Sequence, residues 1–242
     1  MERIALITGA DRGLGLALAA GLLAKQWRVI AGQFMPDWPE LDDLASHHPD
    51  LLTILPLDVS LRRSTQHAAR SMRRRVDHID LLINNAGINT SILDHNIRNE
   101  QDYGEMHRMY DINALGPLRV VECFRPLIDK SEMKRLCFVS SEAGSIERAY
   151  RQGWHGYCMS KAALNMGVKI LFNHLRPEGY TFRLYHPGWI RSYIGGSKGT
   201  QAPLEPEEAA VPALAHFLED PVDPSSEDRL VMKGLKGEEW PW

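Results

Sequence analysis

Cysteine is scarce in this sequence, and its scarcity narrows both the fold and the chemistry. Only Cys123, Cys137 and Cys158 occur in 242 residues, too few and too scattered for a disulfide framework or a zinc site. Cys123 and Cys137 lie among apolar neighbours and read as small core hydrophobes. No apolar run reaches the roughly 20 residues that a bilayer-spanning helix needs. Excess charge of one sign is missing as well. The 28 Lys+Arg and 31 Asp+Glu leave a net charge of -3, which makes no field to gather nucleic acid or anionic lipid. The one basic cluster, Arg73, Arg74 and Arg75, reads as a solvated helix face. Internal repeats and low-complexity linkers are absent. The chain enters an apolar run by Ile4, leaving no room for the charged and apolar regions of a signal peptide. These absences lead to the expectation of a soluble, cytoplasmic protein with no membrane, nucleic-acid or metal partner.

What is present is a steady alternation. Apolar runs at 4–8, 28–31, 51–57, 81–83, 136–139, 182–185 and 230–232 read as strands. Segments 14–25, 41–48, 64–76, 110–124 and 157–175 have helical composition, the last closed by the stop signals Pro177 and Gly179. Continuous apolar runs between helices are what a parallel sheet covered on both faces requires. The predicted architecture is α/β: one domain over 1–242, a Rossmann-type doubly wound parallel sheet with helices on both faces. The loosest stretch, rich in Gly, Pro and polar residues, lies within 190–206. It reads either as a surface loop or as a lid over a site.

The first strand runs into Thr8-Gly9-Ala10-Asp11-Arg12-Gly13-Leu14-Gly15, which opens the first helix. Glycines at such a turn let the backbone approach a pyrophosphate, and the helix N-terminus presents unpaired N–H groups to it. An NAD site commonly places an acid about 20 residues on, for the ribose 2′-OH. Here Ile30-Ala31-Gly32-Gln33-Phe34 contains none, and Asp37 is the next acid. Arg12, inside the turn, offers a guanidinium for a 2′-phosphate. NADP(H) is therefore favoured, with NAD(H) the alternative if Asp37 folds back.

Later motifs extend this reading. Asn84-Asn85-Ala86-Gly87 follows the fourth strand, and Ser140-Ser141 the fifth. Asn113 falls in a helix between them, and Tyr157-Cys158-Met159-Ser160-Lys161 begins the long helix. In this order the residues resemble the short-chain dehydrogenase/reductase family, in its single-domain branch, over nearly the whole chain. His186-Pro187-Gly188-Trp189-Ile190-Arg191-Ser192, followed by Gly195-Gly196, is similar to the carbonyl-reductase and C-factor-like members. Tyr193 stands where those members usually carry an acid.

The resemblance implies a hydride transfer between NADP(H) and a small carbonyl or alcohol, with Asn113, Ser141, Tyr157 and Lys161 as the catalytic set. Tyr157 is the acid–base group. A free phenol has a pKa of about 10, and an ammonium one helical turn away would stabilise the phenolate and lower that value. The resemblance further implies that Lys161 holds the nicotinamide ribose, Ser141 the substrate oxygen, and Asn113 a relay water. Ser141 is preferred to Ser140 because Glu142-Ala143-Gly144 follows it. Thr8, Gly9, Asp11, Arg12, Gly13, Leu14 and Gly15 would form the phosphate turn. Asp58 and Val59 would border the adenine, and Asn85, Ala86 and Gly87 would lie beneath the cofactor. Pro187, Gly188, Ile190 and Ser192 would line the nicotinamide. Segments 88–93, 142–156 and 193–200 are expected to shape the substrate pocket. A homodimer is expected through the helices carrying Asn113 and Tyr157. The competing reading is a non-catalytic dinucleotide-binding signalling or scaffold protein, which has no chemical need for all four catalytic-set residues.

Overall fold

The computed structural model describes residues 2–90, 95–220 and 227–242. A sheet of eight strands runs through its centre in the order β3-β2-β1-β4-β5-β6-β7-β8. The strands are β1 (Ile4–Ile7), β2 (Arg28–Gln33), β3 (Leu52–Pro56), β4 (Leu81–Asn84), β5 (Arg135–Val139), β6 (Thr181–Tyr185), β7 (Met232–Lys233) and β8 (Glu239–Trp240). All neighbours pair in parallel except β7 and β8. Strands β1, β4 and β5 are buried along their whole length, so both faces must be apolar and the runs do not alternate. Two hydrophobic cores cover the two faces. One contains Leu6, Leu82, Phe124, Phe138 and Val168; the other Ile7, Leu18, Leu22, Ile83 and Phe217. Each fully buried leucine contributes about 2 kcal/mol by leaving water.

The helices are α1 (Gly13–Leu23), α2 (Pro39–His47), α3 (Arg62–Met72), α4 (Tyr103–Tyr110), α5 (Gly116–Ile128), α6 (His155–Leu175) and α7 (Pro206–Leu218). Strand order reverses at β1, whose two neighbours are β2 and β4. The loops beyond the carboxyl ends of β1 and β4 therefore diverge and leave a crevice. The glycine turn, Asn85–Gly87, Ser140–Ser141 and the loop after β6 all open onto that edge.

Three features differ from the sequence reading. The segment expected as one helix over 110–124 consists of the end of α4, a π-helical turn at Asp111–Leu115, and α5. Helix α7 occupies a stretch left without an assignment, and β8 adds an antiparallel edge. Proline at the first turn and mid-helix of α7 obscures its periodicity, yet Pro206 suits a helix start, and a capping box of Glu205 and Glu208 closes it. The helix is held by tertiary packing: a Cβ on Gly21 of α1 would lie 2.4 Å from Leu214 Cδ1. The expected loop ends where α7 begins. Residues 190–205 are tethered by a bridge between Ile190 and Leu204 and by an ion pair of Arg191 with Glu205 at 2.7 Å. Among the described residues, no helix is long and apolar enough to cross a membrane.

Candidate active site

The glycine turn is shaped by side chains that are absent. Gly9 and Gly13 have φ of +62° and +56°, in the left-handed region. A Cβ on Gly15 would fall 2.0 Å from the Gly9 carbonyl oxygen, so no other residue fits. Thr8 Oγ1 accepts the N–H groups of Asn85 and Ala86 at 3.1 and 3.0 Å. Asn85 Nδ2 donates back to the carbonyls of Thr8 and Gly9 at 3.0 and 2.9 Å. The turn is thereby bolted to the end of β4. Helix α1 has no side-chain cap and no acid in its first turn, which leaves its first N–H groups and positive dipole end open to an anion.

Asp11 is buried and accepts the Phe34 N–H at 3.3 Å, linking the turn to the end of β2. Arg12 lies against an edge-to-face pair of rings, its guanidinium carbon 4.7 Å from the Trp38 centroid and 5.4 Å from that of Tyr193. Asp37 is exposed. Asp58 turns onto its own loop, accepting Ser60 N–H and Oγ–H at 2.8 and 2.6 Å. Val59 packs where a Cβ on Gly116 would come within 3.0 Å.

The second half of the site is a buried polar corner. Ser140 and Ser141, adjacent after β5, face different ways. Ser140 Oγ donates to Asn165 Oδ1 at 2.6 Å inside the protein. Ser141 accepts Ala143 N–H at 3.1 Å and lowers the Tyr157 phenol. Lys161 Nζ donates to the Val139 carbonyl at 3.1 Å and lies 5.7 Å from the Tyr157 ring centroid. Asn113 sits in the π-helical turn, where the widened backbone sets its amide against Ile88. Its Oδ1 accepts Ile88 N–H at 2.8 Å, and its Nδ2 donates to Ile88 O and Ser160 Oγ at 2.9 and 3.0 Å.

Burial governs the charges here. It pushes the Tyr157 phenol up to about 12, against a downward pull from Ser141. It lowers the Lys161 ammonium to about 8. The chain by itself does not show the expected lowering of the phenol by Lys161, because desolvation dominates at both groups. Spacing gave no signal for a further pair, the partly buried Glu142 and Arg151, joined at 2.9 Å (Arg151 Nη1 to Glu142 Oε2). Glu142 pushes the Tyr157 phenol up and Arg151 pulls it down. Arg151 also stacks on Trp154, which has left-handed φ of 64° and meets Tyr157 edge-on. A cleft lined by Asn89, Met106, Met109, Trp154 and Tyr157 opens beside the phenol. The segments expected to line the pocket fall here in part; residues 91–93 lie outside the described residues.

Beyond β6, Gly188 takes φ of +76° and Ser192 N–H donates to the Ile190 carbonyl at 2.8 Å. His186 meets Trp240 edge-on and is lowered by burial, consistent with a packing role.

The residues present fit a dinucleotide. A Cβ on Gly87 would lie 3.6 Å from Lys161 Nζ and 3.2 Å from Asn113 Oδ1, so this glycine keeps open a cradle beside a buried amine. Among the described residues that amine has one hydrogen-bond acceptor, leaving donors for hydroxyl groups.

Comparisons with known proteins point to one family. The family model for short chain dehydrogenases matches residues 3–202. The C-signal protein of Myxococcus xanthus is 36% identical over 164 residues, covering 68% of this chain and 93% of that protein. An uncharacterised oxidoreductase of Schizosaccharomyces pombe is 34% identical over 193 residues, covering 79% and 75%. An NADPH-bound carbonyl reductase from chicken fatty liver superposes with a TM-score of 0.87 at 30% identity, over 100% of this chain and 94% of the other. A carbonyl reductase from Pseudomonas aeruginosa in complex with NADP gives 0.79 at 26% identity, over the whole of both chains.

Proposed function

This chain belongs to the short-chain dehydrogenase/reductase family, and from that premise we propose that it is an NADPH-preferring reductase of small carbonyl compounds. The observation that carries the reading is the convergence of Ser141, Tyr157, Lys161 and Asn113 on the edge of the sheet that holds the glycine turn. A bound nicotinamide supplies or accepts the hydride. The residues of the chain do the rest. Thr8, Gly9, Gly13 and Gly15 form a phosphate cradle at the start of α1, and Arg12 meets a 2′-phosphate through charge-assisted hydrogen bonds. Lys161 and the open face of Gly87 receive the ribose hydroxyls.

Ser141 orients the carbonyl oxygen toward the Tyr157 hydroxyl, and Tyr157 donates its proton as negative charge develops there. A phenol held near 12 stays protonated at neutral pH, as reduction requires. The reverse reaction needs the phenolate, so alcohol oxidation should accelerate as pH rises. Two named relatives favour the carbonyl class, since each is a carbonyl reductase bound to NADPH or NADP.

The test is to titrate the purified protein with NADPH and NADH by calorimetry, then assay aldehydes, ketones and quinones. Tyr157→Phe should lower turnover by about 10³-fold or more while NADPH binding changes less than about threefold. Near-normal turnover by that variant would sink the assignment of Tyr157. Cofactor binding with no turnover on any substrate would favour a non-catalytic dinucleotide-binding protein, as would be consistent with the likeness to C-signal.

A further inference from the structure

We propose that Trp38 and Tyr193 are specificity-determining residues, whose rings hold the Arg12 guanidinium in place for a 2′-phosphate. The proposal rests on the reading of Arg12 given above. Three remote segments meet at this point: the glycine turn, the entry to α2 and the loop after β6. Trp38 and Tyr193 pack edge-to-face with centroids 4.9 Å apart, and Arg12 lies against both rings. A guanidinium on aromatic surface is bound through its π face, while its five N–H donors lie in the plane and point outward. Among the described residues, no carboxylate or carbonyl accepts from the Arg12 guanidinium. The charge is therefore held but not neutralised.

The consequence is preorganisation. Arginine on an open surface loses much rotamer freedom on binding an anion, and that loss subtracts from affinity. Here the rings have restricted the side chain before the phosphate arrives. The backbone around the stack is also tied. Asp11 is hydrogen-bonded to Phe34, four residues before Trp38, at 3.3 Å, and the Ile194 carbonyl accepts Asn89 N–H at 2.8 Å. That second bond links the Tyr193 loop to the wall of the substrate cleft, which Asn89 lines.

A residue with a merely structural role would affect both cofactors alike; the stack acts only on the one with a 2′-phosphate. Calorimetric titration with NADPH and NADH of the wild type, Arg12→Ala, Trp38→Leu, Trp38→Phe and Tyr193→Leu separates these cases. Trp38→Leu should weaken NADPH about tenfold and leave NADH within about twofold. Tyr193→Leu, removing the more distant ring, should weaken NADPH about threefold. Trp38→Phe, which restores an aromatic face, should recover most of the loss. If Arg12→Ala removes the NADPH preference while Trp38→Leu leaves it intact, the stack proposal is overturned and the Arg12 reading survives. Equal weakening of both cofactors by Trp38→Leu overturns it too. If Arg12→Ala leaves the NADPH-to-NADH ratio unchanged, the Arg12 reading itself fails and the proposal falls with it.

Discussion

The glycine turn and the Tyr157 corner stand side by side at one edge of the sheet and are built on opposite plans. The turn works by omission. At Gly9, Gly13 and Gly15 a missing Cβ permits positive φ or a close backbone approach, and in the proposed function the backbone amides do the binding. The corner works by burial. Tyr157, Lys161, Ser141 and Asn113 are polar side chains removed from water, and their protonation behaviour follows from that removal. A turn of this kind should fail through steric overlap, whereas the corner should show changes in stability and pH response.

The largest effect is expected at Gly15. A Cβ 2.0 Å from the Gly9 oxygen and 2.6 Å from Asn85 Nδ2 forces the backbone apart, so Gly15→Ala should cost about 3 kcal/mol or more of stability. It should also abolish measurable NADPH binding by calorimetry.

Lys161→Met should show the opposite sign in stability. The folded-state pKa of Lys161 is lowered from 10.5 to about 8, so the unfolded chain holds more protons between those values. Stability contributed by this site therefore rises as pH increases through that window, and the cost is fully present below it. Replacing the lysine should remove a penalty on the order of 2 kcal/mol at pH 7. Thermal unfolding should shift upward by a few degrees while turnover is lost. A downward shift would show that the Val139 contact outweighs the burial cost.

Arg151→Met sharpens the comparison within the corner. It leaves the Glu142 carboxylate unpaired near the phenol, so Tyr157 should move further up. The pH profile of alcohol oxidation should shift to higher pH, with Glu142→Gln shifting it the other way. Matching shifts of the same sign would rule out the electrostatic account.

The smallest effect belongs to Gly13→Ala. Its φ of +56° strains any L residue, but the space is open, with only Tyr193 Cδ2 near, at 3.9 Å. The expected cost is about 1 kcal/mol, measurable as a modest drop in the urea midpoint. A loss as large as that of Gly15→Ala would mean that conformation, and not contact, limits the turn.

Much of this was legible before the structure. The strand runs through β6 and the glycine turn follow from local rules, apolar continuity and glycine's freedom, while the set Asn113, Ser141, Tyr157 and Lys161 came from resemblance to a family. The two adjacent serines differ in a way spacing does not reveal, since Ser140 is engaged with Asn165. Helices α4 and α7 were not legible as such. Helix α7 carries prolines and is stabilised by its contact with α1, and α4 runs into a π-helical turn that interrupts the 3.6-residue period.

By itself, the sequence determined where the strands through β6 and the glycine turn fall, because backbone preference and apolar continuity are local. Only the tertiary structure decided how the site residues behave. The phenol of Tyr157 is raised and the amine of Lys161 lowered because elements from across the chain exclude water around them. Arg12 gains its two aromatic neighbours because β2 and the loop after β6 end at the same edge of the sheet. Desolvation and stacking depend on what is near in space, and proximity of that kind is set by the sheet order.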